Sequence, residues 1–130
     1  MANKVFRLQK RCIRIMAGAS RREHCKPLFK KFKILTLQDQ YILDCACFVK
    51  ANIHMFNDNM QTHFHQTRNH SELKVCKTNL SVAHAGVRNA MIRIYNKVPE
   101  YIKRSSCTNH FKKALKNILL NSNFYNVEDF

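Results

Sequence analysis

Four basic side chains open the chain at helical spacing. Lys4, Arg7, Arg11 and Arg14 recur at intervals of 3, 4 and 3. At about 100° per residue they share one narrow face of a helix. Arg and Lys so placed suit phosphates by charge and, for Arg, by forked hydrogen bonding. The run continues through Arg21, Arg22, Lys26, Lys30, Lys31 and Lys33. Residues 4–33 hold 11 of the 23 Lys and Arg residues against one acid, Glu23. No base-reading motif accompanies them, so the expected contact is with the backbone of RNA or DNA, with little sequence preference. The candidate nucleic-acid-binding residues are Lys4, Arg7, Arg11, Arg14, Arg21, Arg22, Lys30 and Lys31. The competing reading of such a run is a solvated face. Stacking on a base through Phe64 or Tyr95 competes with core packing, and the core is expected for both.

Other chemistries lack their parts. Metal-dependent phosphoryl transfer needs paired carboxylates close to the phosphates. The four Asp residues stand at 39, 44, 58 and 129, with no Asp-Asp pair, and eight acids in all are scattered along the chain. His63, His65 and His70 cluster in a polar stretch. Cys76 and His84 have a spacing seen in some zinc knuckles. A closed zinc site needs four ligands, and no Cys-x-x-Cys pair supplies the rest. His24–Cys25 and Cys107–His110 lie close in sequence, but nothing local orients a base. Cys12, Cys45 and Cys47 read as buried structural thiols. No catalytic residue, metal ligand or cofactor is assigned, and no enzyme activity is expected of the chain alone.

The bulk properties agree with a polyanion partner. A formal charge of +15 on 130 residues repels itself on compaction, and a sequence pI near 10.0 fits a nucleic-acid binder. Apolar residues make up 45% of the chain, enough for a core. No run of 18 apolar residues exists, so no membrane span is expected. The N-terminus carries no secretory signal, and the six cysteines therefore read as reduced thiols. Two glycines and two prolines are sparse punctuation for a sheet protein. The expected fold is mainly α, one small domain of four to five helices with a long polar central loop.

The elements that must position the basic residues follow from periodicity. Residues 1–35 form a basic helical segment. Its first helix spans 3–17, stopped by Gly18, and puts Val5, Leu8, Cys12, Ile15 and Met16 toward a core. A second helical stretch spans 20–35, with Ser20 and Glu23 at capping-box spacing and Pro27 near its start. A core helix follows within 36–56, capped by Thr36 and anchored by Tyr41, Ile42, Cys45, Phe48, Val49, Ile53 and Phe56. Residues 57–80 form the polar loop, with an extended stretch near Leu73–Cys76. Residues 81–130 supply the C-terminal helices. One covers 83–97, with Val87, Met91, Ile94 and Tyr95 on one side. Pro99 opens a turn through Tyr101 and Ile102. Another helix covers 108–121, with Phe111, Leu115, Ile118 and Leu119 inward and Lys112, Lys113 and Lys116 outward. Asn126 caps a last turn.

Several boxes resemble one family. The run Phe6-Arg-Leu-Gln-Lys-Arg-Cys-Ile-Arg-Ile-Met-Ala-Gly18 is similar to the segment after the polymerase domain in jockey-type non-LTR (LINE-like) retrotransposons. The resemblance continues through Ser20-Arg-Arg-Glu-His-Cys-Lys-Pro-Leu-Phe-Lys-Lys-Phe-Lys-Ile-Leu-Thr-Leu37. It returns at Thr67-Arg68-Asn69, where His65 stands in place of the family's usual Tyr. It includes Ile94-Tyr-Asn-Lys-Val-Pro99, like an Asn-Lys-Leu-Pro box, then Phe111-Lys-Lys-Ala-Leu-Lys and Phe124-Tyr-Asn-Val-Glu-Asp-Phe130. Each box is short; their order and spacing carry the likeness.

What the resemblance implies is an RNA-directed DNA polymerase whose endonuclease, fingers and palm lie upstream of Met1. This chain would be the thumb-like or connecting region beyond the palm. Its partners would be template–primer or element RNA and the upstream reverse transcriptase domains, in the nuclear setting of the family's life cycle. By analogy its basic residues would form the grip. The rival expectation is a structural remnant of a truncated element, whose faces once packed on the missing polymerase.

Overall fold

Gly18 ends the first helix, as the sequence predicts, and shows how the helix ends are built. The computed structural model describes residues 2–56, 72–75 and 86–130. Helix α1 spans Ala2–Ala17. At Gly18 the chain turns left-handed, with φ of 62°. The Gly18 N–H then donates to Ile15 O at 3.1 Å and the Ala19 N–H to Arg14 O at 2.9 Å. This is the paired 5→2 and 6→1 bonding that satisfies the last carbonyls of a helix. Helix α2, Cys25–Phe32, ends the same way. Lys33 takes the left-handed position, with φ of 53°. Its N–H donates to Lys30 O and that of Ile34 to Phe29 O, both at 3.1 Å. A β-carbon is disfavoured there, so Lys33 carries a strain that Gly18 does not.

Two predicted details of this region are corrected. The second helix starts at Cys25, not near Ser20. The Ser20–Glu23 pair forms no capping box; the Glu23 N–H donates to Ser20 O instead, at 3.0 Å. The cap is His24, whose Nδ1 accepts from the Lys26 N–H at 3.3 Å. Pro27 falls in the first turn, where a missing N–H costs nothing.

Helix α3 spans Leu37–Ala51, and Thr36 caps it as predicted. Thr36 Oγ1 accepts from the Asp39 N–H at 3.1 Å, and Asp39 Oδ2 accepts from the Thr36 N–H at 3.4 Å. This is a capping box with Asp in the role usual for Glu or Gln. The same two side chains reach residue 124. Thr36 Oγ1 donates to Phe124 O at 2.8 Å, and Asp39 Oδ1 accepts from the Phe124 N–H at 3.2 Å. Gln9 of α1 holds the other side of the cap. Its Nε2 donates to Leu35 O at 2.9 Å and its Oε1 accepts from the Leu37 N–H at 3.0 Å.

The expected core helix over 36–56 is two helices. Asn52 interrupts it, its Nδ2 donating back to Phe48 O at 2.9 Å, and α4 follows at Ile53–Phe56. Ile42, Cys45, Val49 and Phe56 are buried as predicted, but Tyr41 and Phe48 are exposed. Their places go to Leu43 and Ala46, both buried. Helix α5, Val87–Lys97, buries Ile94 and Tyr95 as predicted and exposes Val87. Asn89 and Ile92 are buried in its stead. Helix α6, Glu100–Lys103, follows Pro99. Helix α7, Thr108–Ser122, buries Phe111, Leu115 and Leu119 along one stripe. It ends at Asn123, with φ of 49°. A 3-10 turn at Val127–Asp129 follows Asn126, whose side chain makes no cap bond.

The described residues are thus mainly helical, with no strand among them. Five helices of eight residues or more and two single turns compare with the four to five predicted. Contacts divide the chain into two compact units, Met1–Leu43 with Lys112–Phe130, and Asp44–Phe111. In the first unit Phe6, Ile13, Cys25, Leu28 and Phe29 form a cluster, with Tyr125 packed against it. In the second, Tyr95 stacks on Phe111 at 6.2 Å between ring centres. There Asn96 pairs with the backbone of Leu73, accepting from its N–H at 3.0 Å and donating to its O at 2.9 Å. Most of the predicted polar loop lies outside the described residues, as do the Thr67–Asn69 box, Asp58, His63, Phe64, His65, His70, Cys76 and His84. Glu72–Val75, where an extended stretch was expected, has neither helix nor strand.

The helix ends give one test. No atom lies within 4 Å of a β-carbon built at Gly18, so Gly18→Ala pays for backbone conformation alone, about 1 kcal/mol. Lys33→Gly relieves the matching strain at the second stop, for a net gain of a few tenths of a kcal/mol, about 0.5. Urea unfolding of the two variants should move in opposite directions.

The Thr36–Asp39 cap gives another. Asp39→Ala orphans the buried Thr36 N–H and the half-buried Phe124 N–H and should cost about 2–4 kcal/mol, whereas Thr36→Ser keeps the hydroxyl and most of the stability. Burial pushes the Asp39 carboxyl above its ordinary 3.8, against the hydrogen bonds from Thr36 and Phe124 that pull it down. The folded state therefore binds the proton more tightly than the unfolded chain. Asp39 favours folding most at low pH, and that contribution is lost as pH rises from 3.8 through the higher folded value. Unfolding midpoints of wild type and Asp39→Asn, compared across that window, should diverge with this sign.

Candidate nucleic-acid interface

Helix α1 sets which side chains can meet a ligand. Its buried residues are Phe6 and Ile13, which lie within about 20° of each other on the helical wheel. Phe6 packs on Phe29 at 6.4 Å and edge-on to Tyr125 at 5.2 Å between ring centres. With that face anchored, Lys4, Arg7 and Arg11 are exposed. Arg14 is half-buried, and its Nε donates to Glu23 O at 2.8 Å. The stripe from Lys4 to Arg14 is about 15 Å long at 1.5 Å per residue. That is roughly four phosphate steps of one strand measured along the axis of a duplex.

The face predicted for the core does the opposite. Val5, Leu8, Ile15 and Met16 are 51%, 59%, 71% and 60% exposed, and Cys12, expected as a buried thiol, is exposed as well. The reason is tertiary. Phe6 finds two aromatic partners and Gln9 finds two backbone groups, all far along the chain. Together they fix the rotation of the helix about its axis.

The remaining predicted residues fall in the same unit. Arg21 and Arg22 are exposed on the turn joined to Arg14 through Glu23. Lys30 and Lys31 are exposed in the last turn of α2, where cations complement the helix dipole. The structure adds Lys10, which the basic stripe did not include, and gives places to Lys26, Lys33 and Lys116. Lys10 Nζ lies 4.2 Å from the Phe6 ring centre and 4.4 Å from that of Tyr125. Lys26 Nζ faces the same tyrosine at 5.4 Å. Lys10 follows Phe6 by four residues, a local signal; its approach to Tyr125 has none. Lys33 and Lys116 border one shallow cleft of about 370 Å³, together with Gln9 and Gln40.

In the unit formed by Asp44–Phe111, Lys50, Lys103 and Arg88 are used differently. Lys50 Nζ donates to Lys103 O at 2.6 Å, and Lys103 Nζ to Asn96 O at 2.9 Å and Glu100 Oε1 at 3.2 Å. Arg88 donates to Met55 O and lies over the Phe56 ring. These cations close helix ends. Those on the outer face of α1 are turned outward.

The other candidate chemistries do not assemble. Asp39 is buried and committed to the cap, while Asp44 is exposed. His24 caps α2, and Cys25 beside it is buried, its thiol directed at Lys10 O and Glu23 O. Cys45 is buried as expected and Cys47 is half-buried. Tyr95, a possible stacking residue in sequence, packs on Phe111 in the core. Among the described residues no three His, Cys, Asp or Glu side chains come together to hold a metal ion, and no helix is long and apolar enough to cross a membrane.

No protein-family model, no curated protein and no solved structure matches the chain.

Proposed function

We propose that the chain grips the sugar–phosphate backbone of RNA or DNA through α1 and the segment that follows it, and catalyses nothing by itself. The observation that carries this reading is the stripe of Lys4, Arg7 and Arg11, exposed on a helix that contains no acid. Arg21, Arg22, Lys30 and Lys31 extend it within the same unit. Arg14 joins it more weakly, because its guanidinium also ties α1 to Glu23. We further propose that this is the C-terminal region of a jockey-type non-LTR reverse transcriptase, with template–primer or element RNA as ligand and the upstream polymerase domains as partner. The support is the order of the resembling boxes. Four of the five described contain a residue that holds the fold together: Gly18 stops α1, Leu35–Leu37 receives Gln9, Asn96 holds Leu73, and Phe124 receives the Thr36–Asp39 cap; the fifth, Phe111–Lys116, lies within α7.

One observation favours the second reading, a structural remnant of a truncated element. The apolar stripe of Val5, Leu8, Ile15 and Met16 is open to solvent, as expected of a face whose neighbour is missing. The two readings separate by binding. The purified chain should bind a labelled RNA–DNA hybrid at near-physiological salt more tightly than it binds heparin. The logarithm of its affinity should fall linearly with that of salt concentration. Neutralising Lys4, Arg7 and Arg11 to Gln should flatten the slope by roughly 0.7–0.9 per side chain, with an unchanged circular dichroism spectrum. Binding that appears only at low salt, with heparin competing equally, would favour the remnant. An unchanged slope in the triple variant would remove α1 from the interface.

A further inference from the structure

Helix α1 has three faces, and two of them are accounted for. Phe6 and Ile13 enter the core, and Lys4, Arg7 and Arg11 form the basic stripe. On the third, Val5, Leu8, Cys12 and Ile15 follow the 3, 4, 3 spacing of a heptad seam, positions a, d, a and d, with Met16 beside them. At about 100° per residue this seam is centred roughly 120° from Phe6 and Ile13. Its large members are 51% to 71% exposed. Exposed apolar residues scattered singly are ordinary; a seam along one helix is the pattern that a partner helix fills.

The edges of the seam are unequal. In the same register Lys4 and Arg11 are g positions, and Arg7 and Arg14 lie behind them at c. The e positions are Gln9 and Met16, without charge. Edge charges at e and g select the partner of such a seam. We propose that this face docks a helix of a partner protein, one with an apolar a and d seam and carboxylates on the edge that meets Lys4 and Arg11.

The charges argue against a second copy of the chain as the occupant. A second copy packed antiparallel would set Lys4 and Arg11 of one chain against the same residues of the other. A parallel copy would join two chains of +15 each through helices without a carboxylate.

The test uses a synthetic helical peptide of repeated heptads, with Leu and Ile at a and d and Glu at e and g. The Glu residues keep the peptide from pairing with itself. The control has the same composition in scrambled order. Fluorescence anisotropy with the full chain should show at least tenfold tighter binding of the heptad peptide than of the control. Leu8→Ser with Ile15→Ser should erase that preference while leaving hybrid binding within twofold, since no charge is removed. The circular dichroism spectrum should not change, because both positions are exposed. Equal binding of the two peptides would reduce the effect to charge attraction and overturn the proposal. A preference that survives in the double variant would do the same. So would dimerisation of the wild-type chain that the double variant lacks, or capture of phosphatidylserine-containing vesicles that depends on Leu8 and Ile15.

Discussion

A buried carboxylate that satisfies two separate pieces of backbone is the joint on which the first unit turns. Asp39 accepts from the N–H groups of Thr36 and Phe124, and the Thr36 hydroxyl returns a bond to Phe124 O. A buried carboxylate is costly unless its lone pairs are used, and here both oxygens are. The pairing fixes where residue 124 lies, and with it Tyr125. The Tyr125 ring meets Phe6 edge-on, and Lys10 and Lys26 lie over it. The rotation of α1, and therefore which side chains it offers to solvent, depends on a cap formed at the start of another helix.

That dependence explains what was legible in the sequence. Helix stops and caps are local, and Gly18, Thr36 and the turn at Pro99 could be read directly. The stripe of Phe111, Leu115 and Leu119 was legible because one regular face is buried against the rest. The cationic face of α1 was legible because helical spacing alone aligns Lys4, Arg7, Arg11 and Arg14. The core face of α1 was not. Two apolar groups compete for the interior, and the local pattern favours the larger one, Val5 through Met16. The outcome rests on Phe29, Leu35, Leu37 and Tyr125, which periodicity within α1 cannot register. Tyr41, Phe48 and Val87 were misplaced for the same reason.

Asn96 shows the same limit from the other side. Its place in the Ile94–Pro99 box suggested membership of a family, not a task. The fold gives it one: its amide pairs with both backbone groups of Leu73. A segment with neither helix nor strand has no ladder to satisfy its N–H and C=O groups, and a side-chain amide supplies the missing donor and acceptor. Gln9 does the same for Leu35 and Leu37. In both cases a long-range amide bonds backbone groups that no helix or strand satisfies.

The distribution of charge completes the argument for a polyanion. The unit containing α1 carries fourteen Lys and Arg residues against four acids, and one of those acids, Asp39, is sealed in the cap. Its compact state therefore works against its own field. In the other unit Lys50, Lys103 and Arg88 donate to carbonyls at or near helix ends, where they relieve an internal need. Lys4, Arg7 and Arg11 serve no such need. They stand exposed beside an apolar seam that the fold also leaves open. On the two proposals, a helix held by Phe6 and Gln9 with two unlike faces turned to solvent would carry a nucleic-acid backbone on one side and a protein helix on the other. Because Lys4 and Arg11 border both faces, ligands on the two sides would compete for the same charges, and occupancy of one would weaken the other.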